Sequence, residues 1–74
     1  MIRYRNLGGN SNVYTYKIDP SQITVSFYDG GSYVYTYSSA GVSKVEKMKQ
    51  LASQGRGLNN FIVTQANKSY ARKY

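Results

Sequence analysis

The chain has 74 residues and a formal net charge of +7, ten Lys or Arg standing against three acids, so it makes one small domain with a thin core. It contains neither Cys nor His, which excludes disulfide staples and the usual zinc and haem ligand sets. Its carboxylates, Asp19, Asp29 and Glu46, are too few and too scattered for an acid/base pair or a calcium cage; the expected protein is non-enzymatic and uses no cofactor.

Leu, Ile, Val and Phe supply only 15 of the 74 residues, but nine tyrosines add roughly 150 to 250 Å² of burial each when packed. A folded, tyrosine-built domain is therefore expected over residues 1–74. No apolar run reaches the roughly 18 residues of a membrane span, and Met1-Ile2-Arg3-Tyr4-Arg5 leads into no apolar signal segment. The expectation is a soluble cytoplasmic protein with no membrane partner.

Residues 1–11, with Gly8, Gly9, Asn10 and Ser11, read as a flexible lead-in. Val13-Tyr14-Thr15-Tyr16-Lys17-Ile18 is β-branched and aromatic and suits a half-buried strand. Asp19-Pro20-Ser21 forms a turn, because Pro20 fixes its own φ and moves Asp19 out of the helical region. From Gln22 to Tyr28 the alternation puts Ile23, Val25 and Phe27 on one face. Asp29-Gly30-Gly31 then predicts a hairpin turn. In the returning strand, Ser32 to Tyr37, residues Tyr33, Tyr35 and Tyr37 share one face and Val34 and Thr36 the other.

Ser38-Ser39-Ala40-Gly41 breaks the strand pattern. Apolar spacing at 42, 45, 48, 51 and 52 predicts the main helix, with Ser43 and Glu46 as its capping box. Gly55-Arg56-Gly57 ends it. Leu58, Phe61, Ile62 and Ala66 recur at helical spacing and predict a short second helix, although Phe61-Ile62-Val63-Thr64 is equally good strand sequence. Residues 67–74 form a polar, basic tail. The predicted fold is α+β: a three-stranded antiparallel meander packed against one main α-helix plus a short C-terminal helix.

From Lys47 onward there are six Lys or Arg and no acid, an asymmetry that attracts polyanions. Lys44, Lys47, Lys49, Arg56, Lys68, Arg72 and Lys73 are either solvated surface or phosphate contacts. Tyr33, Tyr35 and Tyr37 are either packed under the helix or exposed as a ladder on which unpaired bases stack, and Tyr14 and Tyr16 extend the platform or the core. Gly55-Arg56-Gly57 is explained by helix termination, lacking the strand and Lys-Ser/Thr of a phosphate-binding loop. Ser43 has no histidine to activate it and reads as a helix cap.

The pattern Ser11-Asn12-Val13, Tyr16, Asp19, Ile23, Val25, Phe27 and Gly31, followed by Tyr33-Val34-Tyr35, resembles the KTSC domain, a short module found at the C-terminus of some lysyl-tRNA synthetases and as free-standing bacterial and phage proteins. Leu51-Ala52-Ser53-Gln54-Gly55, Leu58-Asn59-Asn60 and Ile62 look like that family's helix end and the segment after it. The resemblance covers about residues 11–63; where the family usually has Val-Pro after the tyrosine strand, this chain has Ser38-Ser39-Ala40-Gly41. The family has no established function, and RNA binding is proposed for it from the synthetase context. Two expectations follow: a module binding RNA or another single-stranded nucleic acid, or a protein-interaction module. The second is a homodimer or phage-like partner-binding protein, joined through exposed tyrosines or the free edge of the strand at 12–18.

Overall fold

The computed structural model describes residues 1–9, 11–66 and 68–73. Asn10, part of the turn-rich lead-in, and Asn67 and Tyr74, which bound the basic tail, lie outside the described residues. The elements are β1 (Ile2–Arg3), β2 (Val13–Asp19), β3 (Gln22–Phe27), β4 (Gly30–Thr36), α1 (Tyr37–Ala40), α2 (Val42–Gln54), α3 (Leu58–Phe61), a π-helical turn (Ile62–Ala66) and β5 (Arg72–Lys73). No helix among them is long and apolar enough to cross a membrane.

The α+β class is as expected, but the meander is wider. Five strands, all antiparallel, lie in the order β1-β2-β3-β4-β5. The two additional strands come from the lead-in and the tail, where only two residues each complete an edge. Both satisfy backbone groups that the edges of β2 and β4 would otherwise leave open. Tyr4 N–H extends the first pairing to the Tyr14 carbonyl at 2.9 Å, and Ala71 N–H extends the last to the Val34 carbonyl at 2.7 Å. The strand edge expected to be free for dimerisation is thus occupied along Tyr14 to Tyr16.

Register decides which face meets the helices. Val25 lies opposite Tyr33 and Ile23 opposite Tyr35, and directly opposed residues in an antiparallel pair share a face. Ile23 and Val25 are fully buried and Phe27 packs beside them, so the tyrosines of β4 belong to the same covered face. Tyr16 joins them, and its neighbour Tyr14 does not: a bulge between Val13 and Thr15 leaves Tyr14 40% exposed. The β3–β4 turn sits one residue earlier than expected, at Tyr28-Asp29. Gly30 already pairs with Phe27, and Gly31 is the additional residue of a register shift, with φ +32°.

The capping box expected at Ser43 and Glu46 forms instead at Thr36 and Ser39. Thr36 Oγ1 accepts from Ser39 N–H, and Ser39 Oγ accepts from Thr36 N–H, both at 3.0 Å. This reciprocal cap turns the chain out of β4 into α1, so Tyr37 begins a helix and leaves the strand. Gly41, at φ +92°, separates α1 from α2. The apolar stripe of α2 buries Val45, Met48 and Ala52 on the sheet, while Val42 stays exposed. Gly55 ends α2 in the left-handed region, its N–H bonded to the carbonyls of Leu51 and Ala52. Residues 58–66 are helical, with Leu58, Ile62 and Ala66 buried in the same core.

The lead-in contributes more than a strand. Tyr4 is 3% exposed within the core, and its hydroxyl accepts the N–H of Leu58 at 3.3 Å. Leu7 N–H reaches the Gly55 carbonyl at 2.8 Å, and the Arg5 guanidinium donates to the Ser53 carbonyl. Residues 4–7 therefore close over the end of α2.

Candidate functional site

The covered face is incompletely closed at the end of the β3–β4 hairpin. Between that hairpin, the π-helical turn and the tail lies a cleft of about 550 Å³, whose walls include Phe27, Tyr33, Tyr35, Ile62, Val63 and Tyr70. Its aromatic rings form a continuous edge-to-face row. Phe27 and Tyr33 have centroids 5.5 Å apart with planes at 80°; Tyr33 and Tyr70 stand 4.9 Å apart at 68°; Tyr70 meets Tyr35 at 6.2 Å and 86°. Such tilted geometries match the positive edge of one ring to the negative face of the next.

Polar groups lie around these walls. Lys73 is opposite Tyr33 in the β4–β5 register, and its Nζ lies 5.5 Å from the centroid of that ring, within cation–π range. Lys68, exposed, also lines the cleft, as do Asn12, Asp29 and Asn59. The Asn12 side-chain amide donates to Asp29 Oδ1 at 2.7 Å. Burial pushes the Tyr35 phenol up to about 12, with Tyr33 and Tyr70 adding smaller contributions, so it remains neutral throughout the physiological range.

Of the ten residues singled out in the sequence, the cleft brings together Tyr33, Tyr35, Lys68 and Lys73. The open tyrosine ladder is replaced by something narrower. Tyr35 is 1% exposed and Tyr33 half-buried, because the register aligns them with the core residues of β3. Tyr37 lies apart at the start of α1, its hydroxyl donating to Glu46 Oε2 at 2.5 Å.

Lys49 belongs to that second cluster. Its Nζ lies 2.9 Å from Glu46 Oε2, donates to the Pro20 carbonyl at 3.0 Å and sits 5.3 Å from the Tyr37 ring centroid. The Tyr37 hydroxyl and the Lys49 ammonium hold the Glu46 carboxyl below its ordinary value, while Glu46 raises both Tyr37 and Lys49. Lys49 is thus a clamp between α2 and the β2–β3 turn, and the expected role in contacting phosphate does not suit it. Lys44, half-buried, and Lys47, exposed, ride on α2. Arg56 lines a separate recess of about 190 Å³ beside Tyr4. Arg72 pairs with Val34, which alternation places on the sheet face opposite Tyr33.

Two contributors are not apparent from the sequence pattern. Tyr70 lies in a segment that reads only as a basic tail, its one signal being an aromatic side chain in a mostly polar run. The other is an exposed pair on the bulged side of the sheet. Tyr14 and Tyr28 have centroids 4.8 Å apart at 40°, and the Arg3 guanidinium lies 5.0 Å from the Tyr14 centroid. Hydrogen bonding to Tyr28 raises Arg3 further above its ordinary value.

Comparison of the chain with protein-family models, with curated proteins and with solved structures returned no match.

Proposed function

We propose that the chain is a non-enzymatic, cytoplasmic, KTSC-like module that binds RNA or another single-stranded nucleic acid. An unpaired base enters the cleft and packs against Tyr33 and Tyr70, while Lys68 and Lys73 meet the flanking phosphates. The observation that supports this reading is the Phe27–Tyr33–Tyr70 row with the Lys73 ammonium beside it. Aromatic walls offer sequence-tolerant stacking, and neighbouring cations neutralise the backbone. A volume of about 550 Å³ falls in the range of small-molecule clefts, and a base held in a duplex stack would have to leave it to enter.

Anisotropy titration of a labelled single strand and of its duplex, across a range of salt, tests the reading. The single strand should bind more tightly than the duplex, and log K should fall linearly with log salt. Absence of binding at low salt, or preference for the duplex, refutes it.

The exposed Tyr14–Tyr28 pair favours a second reading, a protein-interaction module or homodimer anchored by tyrosines. Light scattering across micromolar to millimolar concentration separates the two: a dimer should appear there and be lost in Tyr14→Ser with Tyr28→Ser, whereas a single-chain mass throughout removes the homodimer.

A further inference from the structure

The cleft contains a group that phosphate binding does not explain. Among the residues lining it, which include Lys68 and Lys73, stands one carboxylate, Asp29. A carboxylate repels phosphate and weakens any purely electrostatic attraction. It is also oriented: Asn12, from the segment entering β2, donates its amide to Oδ1 across the β3–β4 turn. One lone pair is engaged, and the carboxylate's remaining lone pairs can only accept.

We propose that Asp29 selects guanine as the base held in the cleft, accepting hydrogen bonds from its N1–H and exocyclic N2–H. The inference rests on the cleft being a nucleic-acid site and goes on to name the base. Guanine presents two neighbouring donors on its Watson–Crick edge, matching the two oxygens of one carboxylate. Adenine sets an acceptor nitrogen beside its amino group, cytosine does the same, and uracil flanks one N–H with two carbonyls. Each of these turns an acceptor toward the carboxylate, and two acceptors facing one another without a proton between them cost affinity. The lysines then hold the phosphates without distinguishing bases, and Asp29 supplies the discrimination.

The test uses the full chain and short uridine oligonucleotides carrying one central G, A, C or inosine, titrated at fixed salt. The G oligonucleotide should bind about tenfold more tightly than the A oligonucleotide, within the range of a good bidentate contact. Inosine, which lacks the exocyclic amine, should lose most of that advantage. Asp29→Asn keeps the size and turn-forming character of the side chain but replaces one acceptor by a donor. It should abolish the preference for G and move it toward A, whose donor and acceptor complement an amide. Circular dichroism confirms that the variant is folded. Equal binding of all four oligonucleotides, or a G preference unchanged in Asp29→Asn, overturns the assignment. If equal binding is accompanied by loss of affinity in Tyr70→Ala, the cleft remains the site and only the base assignment fails. No binding by any oligonucleotide at low salt removes both.

Discussion

Tyr70 stands edge-on to Tyr33, with ring centroids 4.9 Å apart and planes at 68°, joining a residue of the tail to the central tyrosine strand. The contact converts an open strand face into a walled cleft. Replacing Tyr70 by Ala removes its packing against both Tyr33 and Tyr35, a loss of about 1 to 3 kcal/mol of stability from edge-to-face pairs worth roughly 0.5 to 1.5 kcal/mol each. Affinity for a single strand should fall by about 1 to 3 kcal/mol if a base stacks there, with the salt slope unchanged. Urea titration and anisotropy measure the two effects separately.

The lysines should behave in the opposite way. Lys68→Gln with Lys73→Gln removes two cations from the cleft while leaving Tyr70 in place. The salt slope for single-strand binding should drop by about 1.4, at about 0.7 for each phosphate that is no longer neutralised. Lys49→Gln should leave that slope unaltered, since its ammonium is already engaged by Glu46 and Pro20; an equal drop would return Lys49 to the interface.

Gly55 combines a left-handed backbone with close packing. At φ +77°, an added Cβ would lie 2.9 Å from Arg5 Cβ, so Gly55→Ala meets both a conformational penalty and the lead-in chain. The conformational part costs about 1 kcal/mol, and the close approach adds to it. A loss of about 1 to 3 kcal/mol is expected in urea unfolding. A loss no larger than the conformational part of about 1 kcal/mol would mean that residues 4–7 do not close over α2.

Tyr4 separates packing from hydrogen bonding. Tyr4→Ala should cost about 3 to 5 kcal/mol, comparable with other aromatic truncations in cores, and such a loss can unfold a domain of 74 residues outright. Tyr4→Phe retains the ring but leaves the buried N–H of Leu58 without its acceptor, at about 1 to 3 kcal/mol. If both variants melt with the parent, the N-terminal segment is not part of the core.

Alkaline unfolding should report on Tyr35. Its phenol ionises near 12 in the folded chain and near 10 when unfolded. Because the folded value is the higher, the contribution is fully present below about pH 10 and is lost as pH rises through about 12. At full shift it amounts to about 2 to 3 kcal/mol. Tyr35→Phe should flatten the fall in Tm between about pH 10 and 12 while changing Tm little at neutral pH; an identical fall in the variant would show that Tyr35 ionises as freely folded as unfolded.

Local chemistry was legible in the sequence wherever a few neighbouring residues decide it. Pro20 set the first hairpin, the alternation of Ile23, Val25 and Phe27 named their shared face, the spacing of Val45, Met48 and Ala52 named the buried stripe of α2, and Gly55 marked its end. Alternation also grouped Tyr33 with Tyr35, but it could not say whether that face was covered. The answer came from the register opposing Tyr33 to Val25 and Tyr35 to Ile23, a pairing across strands. Tyr37 left the group because Thr36 and Ser39 cap one another, a local competition that the strand pattern concealed. Edge strands of two residues are too short to show any period, so Ile2–Arg3 and Arg72–Lys73 emerged only when β2 and β4 offered them unpaired backbone. Tertiary packing alone brought Tyr4 to Leu58, Lys49 to Pro20 and Tyr70 to Tyr33, since each contact joins residues distant in the chain and depends on how the elements close upon one another.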